Sequence, residues 1–313
     1  MREGGEDKRC VAITGASGLI GRRLIAHLHE QGWDVARVVR RETRADRHEI
    51  AWHPAQGTID AAAFEGVEAV VHLAGENVAE RWTDSKKERI LRSREEGTTL
   101  LARTLAGLER PPRVLVSASG VDFYGDRGDE LLTEDSATGD TFLAEVVRRW
   151  EAATAPAREA GIRVVTLRTG AVIAREGGMI GKVLLPFRLG LGGRLGSGDQ
   201  YMSWIAAGDV VRAYSHALEH AELSGPVNAV APEPVRNREF TEALGRVLDR
   251  PTVLPVPSLA IRALLGEMGE ELLLGSRRVV PERLLASGFS FLHPTLESAL
   301  ATELVGPEAA QQA

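Results

Sequence analysis

The sequence predicts an α/β protein, a doubly wound parallel sheet followed by a smaller, mostly helical C-terminal lobe. Three observations predict it. Strand-like apolar runs alternate with helix-period stretches through the first half of the chain, which indicates βαβ units and right-handed crossovers. The first such run leads into Gly15, Gly18 and Gly21 at a G-x-x-G-x-x-G spacing. Beyond Ala174 the texture changes: residues 175–200 are glycine-rich, and 237–303 hold short helical stretches punctuated by Pro251, Pro255, Pro257, Pro281 and Pro294.

The β-branched run Val11-Ala12-Ile13-Thr14 is the first strand, and Leu24, Ile25 and Leu28 place an apolar stripe on a helix over 19–31. A strand, a tight turn and a helix start are the context of a dinucleotide-binding loop. Gly15 then allows the sharp turn, Gly18 lets backbone approach a pyrophosphate, and Gly21 lets the helix pack closely on the strand. Ser17, Leu19 and Ile20 share that turn and helix start and are counted with it. A second strand over 34–39 ends in Arg40 and Arg41, and residues 40–47 hold four arginines. Sites that prefer NAD usually carry an acid here for the ribose hydroxyls. Arg40 instead suits a 2′-phosphate through a charge-assisted fork, which predicts NADP(H). A further strand over 69–73 runs into Leu73, Ala74 and Gly75, small residues that let a cofactor pass close to the backbone. His72 lies inside that strand and reads as a core histidine. Helices over 85–105 and 142–160 and strands over 113–117 and 163–167 complete the alternation. Ligands sit beyond the carboxyl ends of such strands, which singles out Ser119, Tyr124, Arg168 and Gly170 at the later ones. On this basis residues 8–174 form the NADP-binding domain, completed by 201–230, and 175–313 form a substrate lobe whose glycine-rich start is a candidate lid.

Composition excludes several functions. With a net charge of −6, a sequence-independent grip on nucleic acid is not expected. No apolar run reaches the roughly 20 residues that span a bilayer. The single cysteine, Cys10, cannot form an intramolecular disulfide and suits a reducing cytoplasm. One cysteine and eight histidines without ligand spacing predict no metal site. The chain reads as cytoplasmic, with a polar or anionic small molecule as its substrate and its oligomeric state open.

These residues resemble the extended short-chain dehydrogenase/reductases, the sugar-nucleotide epimerase-like group. Thr14 to Gly21, His72 to Gly75, Ser117-Ala118-Ser119 with Tyr124-Gly125, and Leu167 to Gly170 carry the likeness in order. Ala74 to Val78, Arg81-Trp82-Thr83, Ser93-Arg94 and Pro186 to Gly193 narrow it to the atypical "epimerase family protein" subgroup. That subgroup carries a C-terminal extension of unknown function, which 252–303 resembles. The resemblance implies a Rossmann-type fold, NADP(H), and an oxidoreductase or epimerase-like activity whose substrate is unsettled.

Ordinary members use a Tyr-x-x-x-Lys pair, in which the lysine lowers the tyrosine pKa for acid/base work. Here the residues four beyond Tyr124, Tyr201 and Tyr214 are Gly128, Ile205 and Leu218, so no such pair exists. Thr141 and Glu145 stand on the corresponding helix. Ser119 holds the place of the family's substrate-orienting serine, and Tyr124 is a candidate proton donor or a structural tyrosine. Glu76, Asn77, Arg81, Trp82, Arg94 and Arg188 are candidate substrate ligands, with surface ion pairs and ordinary packing as their alternatives. Asp209 reads as the N-cap of a helix. Two functions from different classes follow: an NADP(H)-dependent oxidoreductase or epimerase-like enzyme, or a non-catalytic NADP(H)-binding sensor.

Overall fold

The structure, a computed structural model, describes residues 9–44 and 46–306. Its main sheet holds Cys10–Thr14 (β1), Asp34–Val39 (β2), Glu49–His53 (β3), Thr58–Ile59 (β4), Ala69–His72 (β5), Val114–Gly120 (β6), Arg163–Thr169 (β7) and Gly225–Ala229 (β8). The order is β8-β7-β6-β5-β1-β2-β3-β4, parallel except at the antiparallel β3–β4 edge. Helices Leu19–Glu30 (α1), Asp84–Ala106 (α2), Phe142–Ala152 (α3), Ala155–Glu159 (α4), Gly178–Arg188 (α5), Ala207–Glu219 (α6) and Asn237–Leu248 (α7) follow. Strand alternation sorts the two faces. Val11, Ile13, Val71, Val116 and Leu167 pack under α1 and α6, whereas Ala12, Val70, Leu115 and Val164 pack under α2 and α4. Strands buried on both faces read as unbroken apolar runs, and so β1 and β5 were legible in the sequence.

The order turns back at β1. The chain winds outward through β2 and β3, then returns to β5, β6 and β7 on the other side, so the switch-point crevice opens between the carboxyl ends of β1 and β5. Residues 207–229 return to this layer: α6 packs beside α1, and β8 extends the sheet next to β7. A separate apolar core joins α5 and α7 to helix Leu296–Leu304 through Ile180, Phe187, Trp204, Phe240, Leu244 and Leu300. The C-terminal lobe also pairs with the first domain directly, Arg278–Val279 lying parallel to Leu131–Leu132.

Three expectations change. The helix expected over 142–160 breaks at Ala153 and Thr154, because Pro156 starts a new first turn and cannot supply an amide to continue the old one. Strands β3 and β4 were not anticipated; β3 has only Ile50 and Trp52 buried, too short an alternation to stand out. Asp209 is not an N-cap. Helix α6 begins two residues earlier with Ala206 as its cap, and the buried Asp209 carboxylate accepts the amides of Leu292 and His293 at 2.7 and 2.9 Å. Among the described residues, no helix is long and apolar enough to cross a membrane.

Candidate active site

The crevice is built from Thr14 upward. Its Oγ1 accepts the amides of Leu73 and Ala74 at 3.0 and 3.2 Å, so its own hydrogen goes to His72 Nδ1 at 2.7 Å. His72 Nε2 therefore carries the hydrogen given to Thr98 Oγ1 at 3.0 Å, an assignment made from the network. Burial pulls the imidazole pKa down to about 4. His72 is a neutral core latch between β1, β5 and α2. Gly15 follows with φ of 66°, and a Cβ there would lie 2.8 Å from the Leu73 carbonyl carbon. Only glycine brings the turn this near the end of β5.

The Gly18 amide closes the turn on Gly15 O at 2.9 Å. As N-cap of α1, Gly18 offers no side-chain acceptor, and the first turn holds no acid. The orphan amides of that turn thus have no competing carboxylate, which suits a diphosphate. Gly21 is buried against Gly15 O and Ala16, so it lets the helix pack on the turn itself, not on the strand as expected. Ser17 and Gly18 are exposed, while Leu19, Ile20, Leu73 and Ala74 are half-buried around them. Arg40, exposed just past β2, has no hydrogen-bond or ion-pair partner among the described residues, whereas Arg41 is held by Glu49 at 2.6 Å. The turn, the β5 end and Arg40 lie together along the carboxyl edge and fit a dinucleotide bearing a 2′-phosphate.

A second assembly occupies the ends of β6, β7 and β8. Ser119 Oγ donates to Glu151 Oε1 at 2.6 Å. Arg168 grips the same carboxylate with both Nε and Nη2 at 2.8 Å and donates to Tyr124 Oη at 3.0 Å. Tyr124 in turn donates to Asn228 Oδ1 at 2.8 Å, and the Asn228 amide reaches Glu134 Oε1 at 2.9 Å. The Arg168 guanidinium also stacks on Phe123, 3.5 Å from its centroid. Burial pushes the Tyr124 phenol up, and neither Tyr124 nor Arg168 is more than 3% exposed. Arg168 and Gly170 were expected to line the cofactor. Arg168 is instead enclosed by Glu151, Tyr124 and Phe123, and a Cβ at Gly170 would lie 2.6 Å from Ser203 O. Arg168 thus ties the end of β7 to α3 and to the turn after β6, and Gly170 lets the chain after β7 pass against Ser203. On the face α3 turns to β6, Val147 lies beside Gly120 and Glu151 reaches Ser119.

The loop after β5 carries the other candidates. Lys86 Nζ lies 2.7 Å from Glu76 and holds its carboxyl below the usual range, so Glu76 is a poor proton donor at neutral pH. Asn77 folds its own loop, accepting from Ala79 N and donating to Glu80. Trp82 donates to Val78 O at 2.8 Å and meets Phe142 edge-on at 5.1 Å. Arg94 donates to Glu76 O at 3.0 Å and packs over Trp150, and burial lowers its pKa to about 10. Arg81 is exposed in the loop between β5 and α2. Arg188 is exposed at the far end of α5, next to Arg250, and is not brought to the other candidates.

Sequence reasoning missed Thr14, Glu151, Asn228, Asp122, Glu271 and Arg277, whose roles arise from contacts between distant segments. Helix α5 itself spans the crevice. Gly177 lies against Leu19 of the turn, and Lys182 donates to Ala79 O in the loop after β5. The cysteine count also did not anticipate that Cys10, Asp34 and His48 come within 4.8 Å of one another. They lie at the opposite edge of the sheet, where burial pushes the Cys10 thiol up to about 11.

The sequence matches the NAD dependent epimerase/dehydratase family over residues 11–230, and a domain of unknown function (DUF1731) over 256–303. An epimerase family protein of Mycobacterium leprae is 43% identical over 301 residues, 96% of this chain and 97% of that protein. The crystal structure of human epimerase family protein SDR39U1 with NADPH is 35% identical, with a TM-score of 0.86 over 97% of this chain and 100% of that one. A nucleoside-diphosphate sugar epimerase structure from Corynebacterium glutamicum is 37% identical, with a TM-score of 0.79 over 98% of this chain and 64% of that one.

Proposed function

The chain belongs to the NAD-dependent epimerase/dehydratase family, and on that premise we propose that it is an NADP(H)-dependent oxidoreductase or epimerase-like enzyme. Its substrate is a polar or anionic carbonyl or hydroxyl compound, small or nucleotide-linked. Gly15, Ser17, Gly18, Leu19 and Ile20 hold the diphosphate, Leu73 to Gly75 flank the ribose, and Arg40 takes the 2′-phosphate. The bound nicotinamide supplies or accepts the hydride.

The observation that carries the reading is the Ser119–Glu151 contact of 2.6 Å at the end of β6. Ser119 Oγ gives its hydrogen to Glu151 and keeps lone pairs for a substrate hydroxyl. When that alcohol is oxidised, its carbon loses a hydride to the nicotinamide. Its oxygen passes a proton to Ser119, whose own proton moves to Glu151; reduction runs the same path backwards. Arg168 and Tyr124 act behind Glu151 as positioning residues, the structural of the two alternatives for Tyr124. A serine–carboxylate relay lacks the lysine-activated phenol of relatives, so turnover is slow.

Screening NADPH oxidation across carbonyl compounds and sugar nucleotides tests this. Ser119→Ala and Glu151→Gln each lower the rate about 10²-fold or more on any hit, while Tyr124→Phe retains most of it. Full rates in Ser119→Ala and Glu151→Gln overturn the assignment. The missing Tyr-x-x-x-Lys pair favours a second function, a cofactor-binding sensor, and tight NADPH binding with no turnover on any substrate would select it.

A further inference from the structure

Resting on the cofactor groove proposed above, we infer that Glu271 and Arg277, both in the C-terminal extension, are positioning residues for the nicotinamide half of the groove. The extension thereby becomes a working part of the site.

Glu271 is buried, and its two carboxylate oxygens accept the amides of Phe142 and Leu143, each at 3.0 Å. These are the first two amides of α3, which no residue nearby in sequence satisfies; Thr141 Oγ1 takes only the Ala144 amide. A carboxylate brought from the other lobe thus completes the cap and opposes the positive end of the α3 dipole. Arg277, 7% exposed, donates through Nη2 to Glu271 O at 2.7 Å and pairs with Asp122 at 3.2 Å. Asp122 is the second residue of the turn Val121–Tyr124 that follows β6, three residues past Ser119. Glu271, Arg277 and Asp122 therefore tie the start of α3 to the turn just past β6, the two elements that carry Glu151 and Ser119.

The intervening segment has little structure of its own. Between Tyr124 and Thr141 its only strand is Leu131–Leu132, which pairs with the extension. Ser276 adds three more ties, to Asp126 Oδ1, Gly128 O and the Arg127 amide. Apolar packing would join the lobes with less desolvation than a buried Glu and Arg. Hydrogen bonds add what apolar packing lacks, a fixed direction for the α3 amides and for the Asp122 carboxylate.

Only one half of the groove depends on this. The adenosine half lies over β1, β2 and Arg40, across the switch point, and touches no residue of the extension's Glu271–Arg277 segment. Adenosine 2′,5′-bisphosphate reports on that half alone, whereas NADPH also needs the β6–α3 half.

Calorimetric titration of the full-length protein with both ligands tests the inference, using Glu271→Gln and Arg277→Gln. The expected result is NADPH affinity about five- to thirtyfold weaker, on the scale of a lost helix cap or charged hydrogen bond. Adenosine 2′,5′-bisphosphate affinity should stay within about twofold, since its contacts are remote from both substitutions. Retained binding of the bisphosphate also shows that each variant is folded. Unchanged NADPH affinity in both variants overturns the inference, and so does a parallel loss of both ligands, which would mark general loosening. Wild-type protein that binds neither ligand overturns the cofactor reading and this inference with it. Wild type that binds both leaves the reading standing whatever the variants do.

Discussion

Arg40 and His72 show how differently two side chains at strand ends behave. Arg40 is exposed and without a partner among the described residues, which leaves its guanidinium free for a phosphate. Replacing it with aspartate, Arg40→Asp, should erase or invert a preference for NADPH over NADH, a change of about 2 kcal/mol for one charged hydrogen bond. Calorimetry giving equal affinities for both nucleotides in the unmodified protein refutes the assignment. His72, by contrast, is sealed between Thr14 and Thr98, and its pKa sits near 4 through burial and, secondarily, Arg94. An unfolded chain titrates the same group near 6.5. Between these values the unfolded state binds a proton that the folded state refuses. Stability from this residue is therefore complete above pH 6.5 and is lost as the pH falls toward 4, by about 3 kcal/mol in all. Urea unfolding at pH 7.5 and pH 5 should show His72→Gln losing less stability than the wild type across that interval. Equal losses would mean that His72 titrates normally.

Among elements, α5 connects the two banks of the crevice. Its first glycine lies near the glycine turn, and Lys182 reaches the carbonyl of Ala79 beyond β5. On the cofactor placement proposed above, release requires this strap to lift. Lys182→Ala removes one charged hydrogen bond, so NADPH release in stopped-flow fluorescence should be about three- to tenfold faster. An unaltered release rate would show that the cofactor leaves by another route. The glycine-rich texture after Ala174 marked this segment in the sequence, but not which groups it touches. Helix α3 teaches the converse. Its helical pattern was readable, whereas its caps were not: Thr141, read as part of the helix, caps it, and Glu271 lies far along the chain with no local signal.

At the scale of the whole molecule, the clustered apolar residues of the C-terminal extension, 252–303, join cores built by earlier segments: Val279, Leu284 and Phe289 pack with the first domain. Leu296, Leu300 and Leu304 pack with α5 and α7 residues, and Glu303 pairs with Arg23 of α1 at 2.8 Å. Leu300→Ala should therefore lower the stability of the entire chain by about 2–5 kcal/mol, the usual loss for a buried leucine. Denaturant curves followed by tryptophan fluorescence and by far-ultraviolet circular dichroism should shift together. A separate early transition for the C-terminal extension would contradict the shared core.

Local pattern determined much of this protein by itself. The alternation of apolar strands with amphipathic helices specified the doubly wound sheet, because each strand and helix must bury its own face. The sequence from Thr14 to Gly21 specified a glycine turn between a strand and a helix, because glycine spacing and backbone conformation are local properties. The position of Arg40 was legible for the same reason, as the first residue beyond a readable strand. Tertiary structure alone decided which polar groups meet. Ser119 finds Glu151, Tyr124 finds Arg168 and Asn228, and α3 finds Glu271 only once β6, β7, β8 and the extension are assembled. A hydrogen bond needs its partners within about 3 Å and correctly aimed. No spacing along the chain encodes such a distance between residues 32 to 129 positions apart.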